Sequence, residues 1–204
     1  MKKNFALLTM MILMLSSCGN NNGSFINGTN NVSGTSNGSN SIISTNHKVL
    51  LAYFSCTGTT ERVATKIASN IEVTTFKIEP KVPYTSEDLN YSNSNCRAKI
   101  EQNDSTSRPE IANQLTDVSS YDTLILGYPI WWGKAPKIIY TFLESYDFET
   151  LTIYPFCTSG SSPIDGSESD LHSICNVSTW KNGRRLTTNS SNDDIKNWLV
   201  DLYN

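Results

Sequence analysis

An apolar run, Leu51-Ala52-Tyr53-Phe54, passes without a spacer into Ser55-Cys56-Thr57-Gly58-Thr59-Thr60 and then into Glu61-Arg62-Val63-Ala64. A strand, a small hydroxyl-rich loop and a helix in that order make an anion site. The first backbone N–H groups of a helix lack intrahelical acceptors and converge on whatever anion lies at that end. Gly58 allows close backbone approach, while Ser55, Thr57, Thr59 and Thr60 offer hydroxyl donors. The loop lacks the Gly-Lys-Ser/Thr ending of a nucleoside-triphosphate loop and the spaced glycines of a dinucleotide fold. Its size suits one phosphate monoester.

Two later segments add to this chemistry. Tyr128-Pro129-Ile130-Trp131-Trp132-Gly133 supplies aromatic planes, and Cys157-Thr158-Ser159-Gly160-Ser161-Ser162 supplies small donors and free amides. A phosphate cradle, aromatic planes and amide-rich loops together suit a flat, phosphorylated heteroaromatic ligand.

The intervening pattern must bring these segments together. Strands are expected at 49–54, 73–78, 123–128 and 151–157, with a weaker one at 180–186. Helices are expected at 60–71, 136–146, 168–175 and 193–203, the last carrying Ile195, Trp198, Leu199 and Leu202 on one face. The run at 123–128 is continuously apolar, as in a strand buried on both sides. Alternating strands and helices imply a three-layer, doubly wound α/β domain with a mostly parallel sheet. Segments 55–60, 128–133 and 157–162 then fall at carboxyl ends of strands, where such sheets form their ligand crevice. Residues 84–119 are less regular, with a helix expected near 95–102 and a turn or short helix after Pro109.

Residues 51–67 resemble the flavin-phosphate signature of flavodoxins at Tyr53, Ser55, Gly58, Thr60, Ala64 and Ile67, with Ala52 standing where a larger apolar residue is usual. Gly127–Gly133, Pro155–Gly160, and Cys96-Arg97-Ala98 with Arg108-Pro109-Glu110-Ile111 are similar to a bacterial flavodoxin-like family. The resemblance covers essentially all of 48–204. It implies a five-stranded parallel sheet of order 2-1-3-4-5 that binds one FMN noncovalently. It places Ser55, Cys56, Thr57, Gly58, Thr59 and Thr60 around the phosphate. Pro129, Ile130, Trp131, Trp132 and Gly133 would flank the isoalloxazine with one tryptophan stacking, and Thr158, Ser159 and Gly160 would line its polar edge. No catalytic side chain is implied, because the flavin carries the electrons. The expected function is electron transfer with an unidentified redox protein. The alternative is an FMN-dependent NAD(P)H:quinone-type reductase.

A rival reading uses Cys56 and Arg62, which satisfy the Cys-x5-Arg spacing of low-molecular-weight tyrosine phosphatases and arsenate reductases. There a thiolate attacks and the arginine clamps the oxyanion. Glu61 places a negative charge beside that site, and the chain has no Asp-Pro dipeptide for the usual general acid. His47 and His172 have no companion motif, so no metal is expected. Arg184 and Arg185 read as surface charges, and the four cysteines of the domain show no disulfide framework.

The chain carries 16 basic and 19 acidic residues, and it lacks the basic stripe a nucleic-acid partner requires. At the N-terminus, Lys2 and Lys3 precede an apolar stretch too short to span a bilayer, ending Leu15-Ser16-Ser17-Cys18. This resembles a bacterial lipoprotein signal, with cleavage after residue 17 and lipid attachment at Cys18. Of residues 19–47, 23 are Asn, Ser, Gly or Thr, a composition that cannot bury enough apolar surface to fold. The expectation is therefore an exported domain at the bacterial cell envelope, held to a membrane only through lipid on Cys18 and a disordered tether.

Overall fold

The computed structural model describes residues 42–176 and 178–203. The proposed signal, Cys18 and most of the tether lie outside the described residues. The chain runs β1 (Val49–Tyr53), α1 (Thr59–Ala68), β2 (Thr74–Lys77), α2 (Arg97–Asn103), β3 (Thr123–Pro129), α3 (Lys137–Ser145), β4 (Thr152–Thr158), α4 (Asp165–Ile174), β5 (Thr179–Trp180), β6 (Arg184–Arg185) and α5 (Asn192–Trp198). All pairings in the sheet are parallel and the order is β2-β1-β3-β4-β5, with β6 also pairing to β4.

Alternation along the strands explains the layers, because successive side chains point to opposite faces. Val49 and Leu51 of β1, with Tyr154 and Phe156 of β4, pack under Val63, Ala64 and Ile67 of α1 and Ile195 and Leu199 beside α5. Leu50, Ala52, Ile153 and Cys157 face the other way, onto Ile138, Ile139, Phe142 and Leu143 of α3 and Leu171 of α4. Helix α5 starts on a capping box: Ser191 and Asp194 each bond the other's backbone N–H.

Three sequence expectations change. The single final strand is two two-residue pieces, each hydrogen-bonded to β4. The fourth helix begins at Asp165, ahead of the expected Glu168. Ile43, assigned by composition to the tether, forms a parallel bridge to Ile71 and joins the domain edge.

Helix α1 leaves β1 on one face and α3 leaves β3 on the other, yet β1 and β3 are neighbours. The strand order reverses between them, and a crevice opens beyond their carboxyl ends.

Candidate functional site

The loop after β1 delivers helix α1 with a bare N-terminus. Gly58 is the N-cap at φ 80°, and no side chain caps the helix. An L residue with a side chain is strained at that φ, so glycine permits the turn. The first bond into the helix runs from Arg62 N–H to Gly58 C=O at 3.0 Å. The N–H groups of Thr59, Thr60 and Glu61 therefore have no acceptor among the described residues, and they project from the positive end of the helix dipole. Thr57 Oγ1 and Thr59 Oγ1 lie 3.5 Å apart, and Arg62 donates to Thr59 Oγ1 at 3.3 Å.

Thr60 behaves differently from its neighbours. Its side chain is 1% exposed, and its hydroxyl shares a 2.8 Å hydrogen bond with the Thr158 hydroxyl at the end of β4. Its N–H, rather than its hydroxyl, is free for a ligand. Thr158 also accepts from Ile130 N–H through its carbonyl at 2.9 Å. Thr158 thus ties the three sequence-identified segments into one crevice.

The aromatic segment is a tight hairpin. Trp131 and Lys134 exchange both backbone hydrogen bonds, at 2.9 and 3.0 Å. The two residues between them, Trp132 and Gly133, have φ 46° and 81°, the paired positive values of a type I′ turn. Such values are strained for tryptophan, and strain of this kind concentrates at functional sites. The turn divides the labour of the two tryptophans. Trp131 is 7% exposed and packs edge-on against Phe54 and Tyr84, at 5.6 and 5.1 Å between centroids. Ile130 is likewise buried. Trp132 is half-buried at the turn tip, stacked on Tyr91 at 4.1 Å and 16°. The sequence leaves the choice between the two open; the structure gives Trp131 to the core and presents Trp132 at the rim.

The third loop is held from behind. Arg185 donates to Ser159 Oγ at 3.0 Å, to Ser159 C=O at 3.0 Å and to Gly160 C=O at 2.6 Å. The Ser159 hydroxyl also donates to Ser162 C=O, so this side chain is engaged within its own loop. Arg185, expected as a surface charge, is an internal tie.

Residues outside the three sequence-identified segments complete the rim. Tyr84 donates to Glu101 at 2.5 Å, Arg97 Nε donates to the same carboxylate at 2.7 Å, and the Arg97 guanidinium lies 4.0 Å over the Tyr84 ring. Tyr84 comes from the irregular segment before α2, and Arg97 and Glu101 from α2 itself. Burial, with help from Glu101, pushes the Tyr84 hydroxyl well above its usual range. Beside them, burial pushes the Cys56 thiol up to about 12, outweighing the Arg97 charge that lowers it. Cys56 is thus a neutral thiol at pH 7, which argues against the nucleophilic thiolate of the Cys-x5-Arg reading. Among the described residues no cluster of three or more His, Cys, Asp or Glu could hold a metal ion.

A parallel sheet with free helix amides at its switch point and an aromatic rim defines an α/β protein of the doubly wound class. The chain belongs to the flavodoxin family: the model of that family, described as Flavodoxin, matches residues 48–202. A protein from Bacteroides eggerthii classed as a flavoprotein is 40% identical, with 77% of this chain and 98% of that chain covered and a TM-score of 0.74. A second, from Bacteroides uniformis, is 42% identical over 76% of this chain and 98% of its own, with a TM-score of 0.72. A flavoprotein in complex with FMN from Lactobacillus acidophilus shares the fold at 21% identity and TM-score 0.56, covering 74% and 98%. No curated protein matches the chain.

The residues present fit a flavin phosphate. Three unpaired amides, the exposed Thr57 hydroxyl and the half-buried Thr59 hydroxyl match a dianionic ester, and among the described residues no acidic side chain hydrogen-bonds to the loop hydroxyls. Glu61, the nearest carboxylate in sequence, is instead held by Lys77 at 3.2 Å and by the Tyr53 hydroxyl at 3.3 Å.

Proposed function

We propose that this chain is an FMN-binding electron carrier, exported and anchored to a bacterial membrane by lipid on Cys18. FMN, when bound, supplies the electron chemistry. The amides of 59–61 bind its phosphate, the Trp132 face orients the ring, and the 158–160 loop offers backbone N–H groups to its polar edge. Burial of Trp131 and Ile130 keeps water from one side of the crevice. The observation that carries the reading is the uncapped α1 terminus, hydrogen-bonded through Thr60 and Thr158 to the loops that hold the aromatic rim. The net negative charge of the chain, −3, together with a stacked ring disfavours the anionic reduced flavin, so the potential is expected to be low.

Purification of the full chain tests the cofactor. A yellow protein that releases FMN, identified by mass spectrometry, supports it; a colourless protein that refuses added FMN rejects it. Electron carriage predicts no steady-state NADPH oxidation with added quinone, whereas turnover favours the reductase alternative. Lipid attachment is tested separately by Cys18→Ser, which should release the protein from the membrane fraction.

A further inference from the structure

A cavity of about 600 Å³ lies between the end of α2, α3 and α4, and its wall includes three cations: Arg108, Lys134 and Lys137. Two of them are neutralised within the wall. Arg108 grips Glu144 with two parallel bonds, Nε to Oε2 at 2.6 Å and Nη2 to Oε1 at 2.7 Å. Lys134 pairs with Asp170, which also accepts from the Tyr140 hydroxyl at 3.3 Å. Lys137 is different. Only 7% of it is exposed, and among the described residues its ammonium makes no hydrogen bond and no ion pair within 4 Å, although the carboxylates of Asp170 and Asp104 act on it at longer range. It lies over the Tyr140 ring, 4.4 Å from Nζ to centroid. A ring quadrupole offsets part of a cation's desolvation, but a buried charge is normally paired with an opposite charge.

The wall thus sets three cations against the directly paired carboxylates of Glu144 and Asp170, with Asp104 within electrostatic reach, and leaves Lys137 as the cation with no direct partner. Burial and then the field of Arg108 lower the Lys137 ammonium from its usual range, with Lys134 acting in the same direction and Asp170 and Asp104 opposing it. We infer that this cavity is a second anion site, taking a small organic molecule with a phosphate or carboxylate headgroup that pairs with Lys137. Its volume far exceeds that of one oxyanion and leaves room for an organic body beside Tyr140. The site is separate from the 55–60 loop and does not depend on the flavin reading. It adjoins the flavin-side hairpin, because Lys134 closes that hairpin and Gln102 donates to both Trp131 C=O and Ala135 C=O, at 2.8 and 3.2 Å.

Nitrogen-15-labelled full chain titrated with inorganic phosphate, and separately with succinate, tests this at constant ionic strength. Saturable amide shifts at 134–140 and 170–174 are expected with at least one probe, with Kd on the order of 1 mM or tighter. Lys137→Met should weaken that binding roughly tenfold or more, the loss of a charge-assisted hydrogen bond. Lys196→Met, on α5 in the opposite layer, should leave it intact. Saturation by phosphate alone, by succinate alone or by both supports the site and names the headgroup. Absence of saturable shifts at 134–140 in the unmodified chain overturns it, even if Lys137→Met fails to fold. Shifts confined to residues 55–61 also overturn it, while leaving the flavin loop's role intact.

Discussion

The hydroxyls of Thr60 and Thr158 meet at 2.8 Å although 98 residues separate them in sequence. Both sides of that contact are buried, so neither hydroxyl has water as an alternative partner. The bond links the phosphate loop to the loop after β4, and the Thr158 carbonyl carries the link on to Ile130.

Removing either hydroxyl strands the other. Thr60→Val and Thr158→Val are each expected to cost about 1–3 kcal/mol, the penalty of an unsatisfied buried hydroxyl. The double variant should cost less than the sum, because no orphan remains. Urea unfolding of the four proteins measures the coupling; strict additivity would show that the contact is not made.

The two tryptophans should separate by readout. Trp131→Ala removes a core ring and is expected to cost about 3–5 kcal/mol of stability. Trp132→Ala keeps the left-handed strain, because alanine also carries a Cβ, and should leave stability within about 1 kcal/mol while weakening FMN binding. Thermal unfolding and FMN titration check both; equal stability losses would mean that Trp132 is also a core residue.

Arg185→Lys keeps the charge but not the fork that reaches Ser159 and Gly160 together. FMN affinity is expected to fall roughly tenfold, equivalent to about 1.4 kcal/mol, with little change in melting temperature because the loop is at the surface. An unchanged affinity would restore Arg185 to the status of a solvated charge.

The buried thiols set an alkaline limit. Burial raises Cys56 and Cys157 to about 12 in the folded protein, against about 8.5 in an unfolded chain. The unfolded state therefore loses these protons first. Their contribution is complete below the unfolded value and disappears as pH climbs toward 12. Urea midpoints should fall between pH 8 and 10.5, and iodoacetamide should modify Cys56 slowly at pH 7.5. Fast alkylation with an inflection below pH 8 would revive the thiolate reading.

Local information was legible without coordinates wherever one segment decides its own structure. The β1–loop–α1 unit is written in a contiguous apolar run, a glycine that tolerates positive φ and a helix face spaced at 63, 64 and 67. The order of strands and helices follows from periodicity, and the carboxyl-end position of the three site segments follows from that order. The short edge was harder to read. Residues 181–183 interrupt the last strand, and two-residue strands carry no period to detect.

What the amino-acid order alone determined was the layered α/β architecture, the family and an uncapped helix N-terminus after β1, because each rests on residues adjacent in sequence or repeated at a fixed interval. Tertiary packing decided which tryptophan enters the core, that Thr60 turns its hydroxyl to Thr158, that Arg185 braces the 159–160 loop and that Lys137 is buried with no carboxylate in direct contact. Those outcomes depend on partners tens of residues away, whose distances are set only when both layers close on the sheet.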